Sequence, residues 1–184
     1  MMKVLVLAVV AAAAVGCVAP AQNLTAGVYK DGQVRVPPAY ETWTKKFDTI
    51  DRPEIKQVRE IYVNEVGAQA KAGEPLPNGY VSVMEIWSAK DNGDTTVQVD
   101  ESGRLVKDKL LKIFVMAKGE GWGEQVTPVL LRNGDWVYSA WLADGQTPAP
   151  DLAASCRGCH MSFAKNDFLP NYSGYGKTNA EAKQ

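Results

Sequence analysis

The residues with the clearest chemistry are Cys156, Cys159 and His160, in the sequence CRGCH. C-x-x-C-H is the attachment signature of c-type haem. Residues three apart share one face of a helix, so the two thiols can reach the two vinyl groups along one haem edge. The imidazole of the next residue can then ligate the iron from below. The motif therefore predicts one covalently attached haem c, with Cys156 and Cys159 forming the thioethers and His160 serving as the proximal iron ligand.

Other chemistries of a C-x-x-C pair have to be weighed against haem attachment. The pair could be a thioredoxin-like redox centre, half of a zinc site or a disulfide in an oxidising compartment. Zinc needs four ligands, and apart from Cys17 the chain contains only these two cysteines and one histidine. A thioredoxin-like pair follows a strand in a βαβ unit, a pattern that this sequence does not show. With a single histidine, the sixth iron position must hold Met, Lys, water or nothing.

The composition is that of one ordinary globular domain. The chain has 184 residues, of which 46% are hydrophobic and 22% charged, and its formal net charge is −1. This balance provides no basic field to hold phosphates, so we expect no nucleic-acid partner.

The N-terminus has the pattern of a secretory signal peptide. One lysine precedes about a dozen apolar residues, too few for a permanent membrane span, and Ala19-Pro20-Ala21 precedes Gln22 as a cleavage site. We therefore assign residues 1–21 as the signal and place the mature protein outside the cytoplasm. Ala14-Val15-Gly16-Cys17 also resembles a lipobox, so a lipoprotein anchored through Cys17 stays open as an alternative. No later segment has eighteen consecutive apolar residues, and we expect no transmembrane segment.

The rest of the chain predicts more sheet than helix. Runs rich in Val, Ile, Tyr, Trp and Phe are separated by hairpin-type turn residues, so consecutive strands should pair antiparallel. The predicted strands lie within residues 58–64, 79–89, 95–100, 109–119 and 135–145. Short helices are predicted in residues 39–47 and 66–73, and a longer one, capped by Asp151, carries the cysteine motif. We therefore expect an α+β fold with a mainly antiparallel sheet, flanking helices and a C-terminal helix bearing the motif.

These elements divide the chain into four parts. Residues 22–36 form a leader segment, residues 37–170 the haem domain, and residues 171–184 a polar, flexible tail.

Five segments, in this order, resemble the cytochrome P-460 family, which includes the β-type cytochromes c prime. They are VREIYVNEVGAQAKAG, LPNGYVSVMEIW, LLKIFVMAKGEGWG, GDWVYSAWLADG and the C-terminal CRGCH. The resemblance implies a periplasmic protein, often a homodimer, with one five-coordinate haem c and an apolar distal side. It also implies nitric oxide and hydroxylamine as ligands, and a soluble redox partner if hydroxylamine is oxidised.

One departure from the family bears on enzymatic activity. In the hydroxylamine-oxidising members a lysine on the strand matching VSVMEIW is joined covalently to the porphyrin, and Met84 stands at that position here. This replacement argues against the cross-link and makes nitric oxide binding the closer analogy. Glu85 is a weak candidate for a base that would take protons from hydroxylamine, and a solvated or structural role is the alternative.

Methionine side chains define the main competing hypothesis. Strand alternation places Met84 on the face opposite Glu85, where it could line the haem pocket, ligate iron or simply fill the core. Ligation by Met84 or Met116 would make the protein a six-coordinate His/Met electron-transfer cytochrome instead of a ligand-binding one.

Overall fold

The computed structural model describes residues 22, 24, 27–45, 49–71, 74–94, 96–150 and 153–170. The predicted signal peptide 1–21, the lipobox cysteine Cys17, the helix cap Asp151 and the polar tail 171–184 lie outside these residues. Among the described residues, no helix has both the length and the apolar character needed to cross a membrane.

One antiparallel sheet forms the body of the protein. Its strands are β1 (Thr44–Lys45), β2 (Ile50–Arg52), β3 (Gln57–Val63), β4 (Val81–Ala89), β5 (Lys107–Lys118) and β6 (Trp136–Leu142). The order is β1-β3-β4-β5-β6, and β2 also pairs with β3. All the pairings are antiparallel, as the hairpin-type turns predicted. Together with a C-terminal helix, this sheet confirms the expected α+β class.

Within the described residues, two α-helices accompany the sheet. Helix α1 (Glu65–Ala68) begins after Asn64, whose side chain accepts a hydrogen bond from the Gly67 backbone N–H at 3.0 Å. This N-cap satisfies a donor that the first helical turn would otherwise leave unpaired. Helix α2 (Ala153–Met161) carries the cysteine motif. The helix predicted around the motif is therefore present, and the one predicted over residues 66–73 is shorter than expected, since it begins at Glu65 and ends at Ala68.

Two predicted elements are wrong. The described part of the helix predicted at residues 39–47, residues 39–45, is not α-helical: a single 3-10 turn at Tyr40–Thr42 leads into β1, which pairs with β3. In the segment predicted as a strand at 95–100, the described residues 96–100 make only isolated bridges and no strand. There, Asp100 accepts hydrogen bonds from the backbone N–H groups of Ser102 and Arg104, and such local bonds compete with a strand ladder.

The two faces of the sheet are covered differently. Alternation sends Val83, Val115 and Val137 to one face, which we call the leader face, where they form an apolar cluster with Val34. The other face, which we call the helix face, carries Tyr138 and the cluster beneath α2. Each face thus has its own core.

The predicted leader segment packs directly on the leader face. Val34 is 1% exposed, and its carbonyl accepts a hydrogen bond from the Trp141 indole at 3.2 Å. The Gly32 N–H donates to the Tyr138 carbonyl at 2.9 Å. Residues 27–36 therefore act as an extra layer beside β6.

The buried carboxylate of Glu60 joins three strands. It pairs with Lys45 of β1 and Lys107 of β5, both at 2.6 Å. Burial by itself would raise the pKa of Glu60, but the hydrogen bonds from Lys107 and Lys45 outweigh it and lower the pKa to about 2. The ionised carboxylate therefore stabilises the folded sheet.

We expect Glu60→Gln to lower the free energy of unfolding at pH 7 by roughly 2 kcal/mol, because it removes a doubly paired buried charge. The pKa of Glu60 is lower in the folded protein than the usual 4.5, so its contribution is complete above about pH 4.5 and is lost towards pH 2. The difference between the wild type and the variant should therefore shrink on acidification. Urea unfolding at pH 7, 4 and 3 measures it, with the exposed Glu101→Gln as control. A difference independent of pH would contradict this role.

Candidate haem attachment site

Helix α2 holds the two motif cysteines as free thiols. Cys159 is exposed, whereas Cys156 is half-buried and packs against a cluster that contains Trp136, Tyr138 and Leu169. The two cysteines are three residues apart on one helix, as the motif requires, and they do not form a disulfide. Both sulfur atoms are therefore available for thioether bonds.

The surroundings of the cysteines do not match the competing chemistries. Burial, together with the nearby Asp31 and Cys159, raises the pKa of the Cys156 thiol to about 11. A thioredoxin-type attacking thiol instead has a lowered pKa. Among the described residues, no three His, Cys, Asp or Glu side chains are grouped to hold a metal ion. The raised pKa of Cys156 therefore does not match a reactive redox pair.

The His160 imidazole is oriented by a single backbone acceptor. Its Nδ1 lies 2.6 Å from the carbonyl oxygen of Phe168. A carbonyl can only accept, so Nδ1 must carry the proton, which leaves the Nε2 lone pair free for a metal. The ring also packs against Tyr138 and Phe163, with centroids 5.1 and 6.4 Å apart. Burial lowers the pKa of His160 and so favours the neutral form that ligates iron.

The carbonyl of Phe168 is held in place by an ion pair. Asp167 and Phe168 have left-handed backbone conformations, with φ of 50° and 61°. The Asp167 carboxylate accepts hydrogen bonds from Lys118 at 2.8 Å, from the Leu76 N–H at 2.9 Å and from the Trp136 indole at 3.3 Å. The loop that follows α2 is thereby fastened to β5 and β6, and the histidine acceptor with it.

Arg157, between the two cysteines, fixes the position of the helix. It is 2% exposed and forms a two-pronged ion pair with Asp31, Nε to Oδ2 at 2.6 Å and Nη2 to Oδ1 at 2.7 Å. Nη2 also donates to the Trp136 carbonyl at 3.0 Å, and Nη1 donates to Asn133 at 3.3 Å. The guanidinium lies 5.1 Å from the centroid of the Tyr138 ring. A buried charge so fully paired ties α2 both to β6 and to the leader segment.

Sequence reasoning missed these positioning residues. Asp31 reads as an ordinary turn residue, and Asn133 belongs to an Asn-Gly turn, yet the Asn133 side chain is fully buried and donates to the Arg157 carbonyl at 3.2 Å. The only indication of this network in the sequence is Arg157, a charged residue between the two motif cysteines.

A partly exposed apolar row runs across the helix face beside the strand positions that α2 covers. We call it the apolar row; in strand register its members are Ile61, Met84, Phe114 and Ala140. The adjoining register positions, Met116 and Tyr138, belong to the cluster under α2. Met84 thus shares a sheet face with the motif, which agrees with the predicted alternation. Whether it lines a pocket stays a prediction.

Glu85, the weak candidate for a base, is not at this site. Alternation turns it to the leader face, where it is 4% exposed. It accepts hydrogen bonds from the Tyr40 hydroxyl at 2.6 Å and the Trp87 indole at 2.8 Å. The carboxylate therefore stabilises the core on the far side of the sheet from His160.

The residues around the motif fit a haem group. Two free thiols stand at the required helical spacing, and Nε2 of His160 has an unused lone pair. The adjoining apolar row offers the kind of surface against which a flat apolar macrocycle can pack. Cys156, Cys159 and His160 would hold the group, and the row would contact it.

We expect Asp31→Asn to destabilise the protein by about 3–5 kcal/mol, because it leaves the buried guanidinium of Arg157 without its counter-charge. Chemical denaturation of the variant against wild type measures this difference. Asp108→Asn, which changes an exposed carboxylate on β5, is the matched control and should have little effect. Equal stabilities of the two variants would show that the pair does not hold the helix.

Comparison with known proteins places this site in a family. A search of curated proteins finds no match to the chain. The family model for Cytochrome P460 matches residues 37–170, nearly three quarters of the sequence, and includes all three motif residues. A haem cofactor is implied by that family. The chain belongs to the Cytochrome P460 family.

Proposed function

We propose that this protein is a periplasmic haem c protein that binds small nitrogen ligands, nitric oxide above all. Thioethers from Cys156 and Cys159 attach the haem, and Nε2 of His160 ligates the iron. The observation that carries the proposal is the hydrogen bond from Nδ1 of His160 to the Phe168 carbonyl, beside two free thiols on the same helix. It sets the tautomer that an iron ligand needs. The signal-like N-terminus supports export.

The chain contributes orientation and an apolar surface. The haem, when bound, supplies the iron that takes the diatomic ligand. The Phe168 carbonyl strengthens and aims the His160 imidazole. The sole histidine of the chain is used in this way, so no second imidazole is left to donate a hydrogen bond to a bound ligand. Ile61, Phe114 and Ala140 in the apolar row favour a small uncharged ligand over a charged one.

Ligand binding is better supported than hydroxylamine oxidation. Oxidation requires a base that removes protons from the bound substrate. Glu85 lies on the opposite side of the sheet, bonded to Tyr40 and Trp87. The resemblance of VSVMEIW to the family implies that Met84 stands where oxidising members carry the cross-linking lysine, and its thioether cannot form that bond.

A second candidate function rests on the location of Met84. Its thioether lies on the same sheet face as the motif and is only partly buried. If it ligates the iron, the sixth position is closed and the protein is a His/Met electron-transfer cytochrome that passes electrons to a soluble partner.

Visible spectra of the purified holoprotein test the proposal. We expect a high-spin ferrous spectrum that shifts when nitric oxide is added, because His160 alone ligates the iron from the protein. His160→Ala should lose this spectrum while intact-mass spectrometry still finds the haem attached through two thioethers. Cys156→Ala/Cys159→Ala should lose the covalent haem. An unchanged spectrum in His160→Ala would remove that residue from its assigned role.

Met84→Leu separates the two candidate functions. Leucine keeps the volume and apolar character of methionine but cannot ligate iron. If the protein binds ligands, the spectrum and the nitric oxide response of Met84→Leu should match those of the wild type. A low-spin wild type that becomes high-spin in Met84→Leu would establish the electron-transfer function instead.

A further inference from the structure

Two cationic side chains border the apolar row on the helix face. Arg59 of β3 and Lys112 of β5 both lie in register with Ile86 of β4, so they flank it in one row. This row lies next to the apolar row on the same sheet face, two residues further along each strand. It is therefore further from the positions under α2 than the apolar row is. We call Arg59 and Lys112 the cationic rim.

Arg59 has a buried donor without an acceptor. Its Nε is buried and lacks a hydrogen-bond partner among the described residues. The nearby carboxylate of Glu54 is already paired with Arg52. Within the described part of the chain, Arg59 therefore has no anionic partner. Because guanidinium groups stay charged in proteins and buried donors are normally bonded, its free Nε is suited to an anion.

Lys112 differs from Lys107 and Lys118, the two lysines of its strand that form ion pairs. Lys107 is bound to Glu60, and Lys118 is bound to Asp167. Lys112 is partly buried and forms no side-chain hydrogen bond or ion pair within the described part of the chain. Both members of the cationic rim are therefore free to bind an anion.

Haem has the shape and charge that match these two rows. It is an apolar disc with two carboxylates, the propionates, along one edge. Arg59 and Lys112 are separated by two strand spacings, about 10 Å, and both have long side chains that can converge. Because the apolar row lies between the rim and α2, a haem attached to the helix would present its opposite edge towards the rim.

We propose that Arg59 and Lys112 bind the two haem propionates and so set the in-plane orientation of the haem. This inference rests on the proposed haem attachment. An arginine fork is suited to a carboxylate, and such charge-assisted bonds are stronger than neutral ones. A cation beside the haem also favours the reduced iron, which carries one positive charge less, so the rim raises the reduction potential.

Holoprotein variants test the rim. Arg59→Gln and Lys112→Gln remove one charge each, and Arg59→Lys preserves it. Arg35→Gln is the control, because this exposed arginine lines a cavity with Tyr40 and Glu85 on the leader face. We expect each rim variant to keep its covalent haem, to shift the propionate bending band in resonance Raman spectra and to lower the midpoint potential. Arg59→Lys should retain most of the wild-type potential.

The outcomes separate this inference from the proposed function. If Arg59→Gln and Lys112→Gln carry haem but have the Raman band and potential of Arg35→Gln, the rim does not bind propionates and the inference is overturned, while haem attachment stands. If the exported wild-type protein carries no covalent haem, the proposed function and the inference both fall.

Discussion

A charged residue with no solvent around it needs its partner to be in place, and the ion pair of Arg157 with Asp31 is the contact on which the position of the cysteine motif depends. Asp31 is itself held by β6, since its carboxylate accepts the Tyr138 N–H at 2.9 Å. The helix, the strand and the leader segment therefore meet at one partly buried carboxylate. Pairs of this kind add little net stability, but leaving one partner alone is costly, so alternative placements of the helix are disfavoured.

A second ion pair acts at the other end of the motif. Lys118 and Asp167 hold the loop whose Phe168 carbonyl orients His160. The two pairs have separate tasks: Arg157 positions the thiols, and Asp167 positions the imidazole acceptor. Both pairs reach strands of the sheet, so the sheet determines where the three motif residues lie. The geometry of the site is thus determined by contacts outside the motif.

Sequence patterns predicted strands β3 to β6 and the motif, because these depend on local order, but they did not predict the short strands β1 and β2. Alternation in β4 correctly separated Met84 from Glu85, although it could not say which face α2 would cover. The helix predicted at residues 39–47 failed because Thr44 and Lys45 pair with β3, a contact eighteen or so positions away that periodicity cannot reveal. Asp31 and Arg157 are 126 positions apart, and nothing near either residue indicates the other. Long-range ion pairs are the part of the site that a single sequence conceals.

The two residues between the motif cysteines experience unlike surroundings. Arg157 is enclosed on all sides, whereas a Cβ added at Gly158 would meet no atom within 4 Å. The pattern C-x-x-C-H allows any residue at both positions, yet in this fold only position 158 has room for other side chains. In related sequences, position 157 should therefore change together with position 31 or not at all. The residue between the two cysteines thus indicates how the helix packs on the rest of the fold.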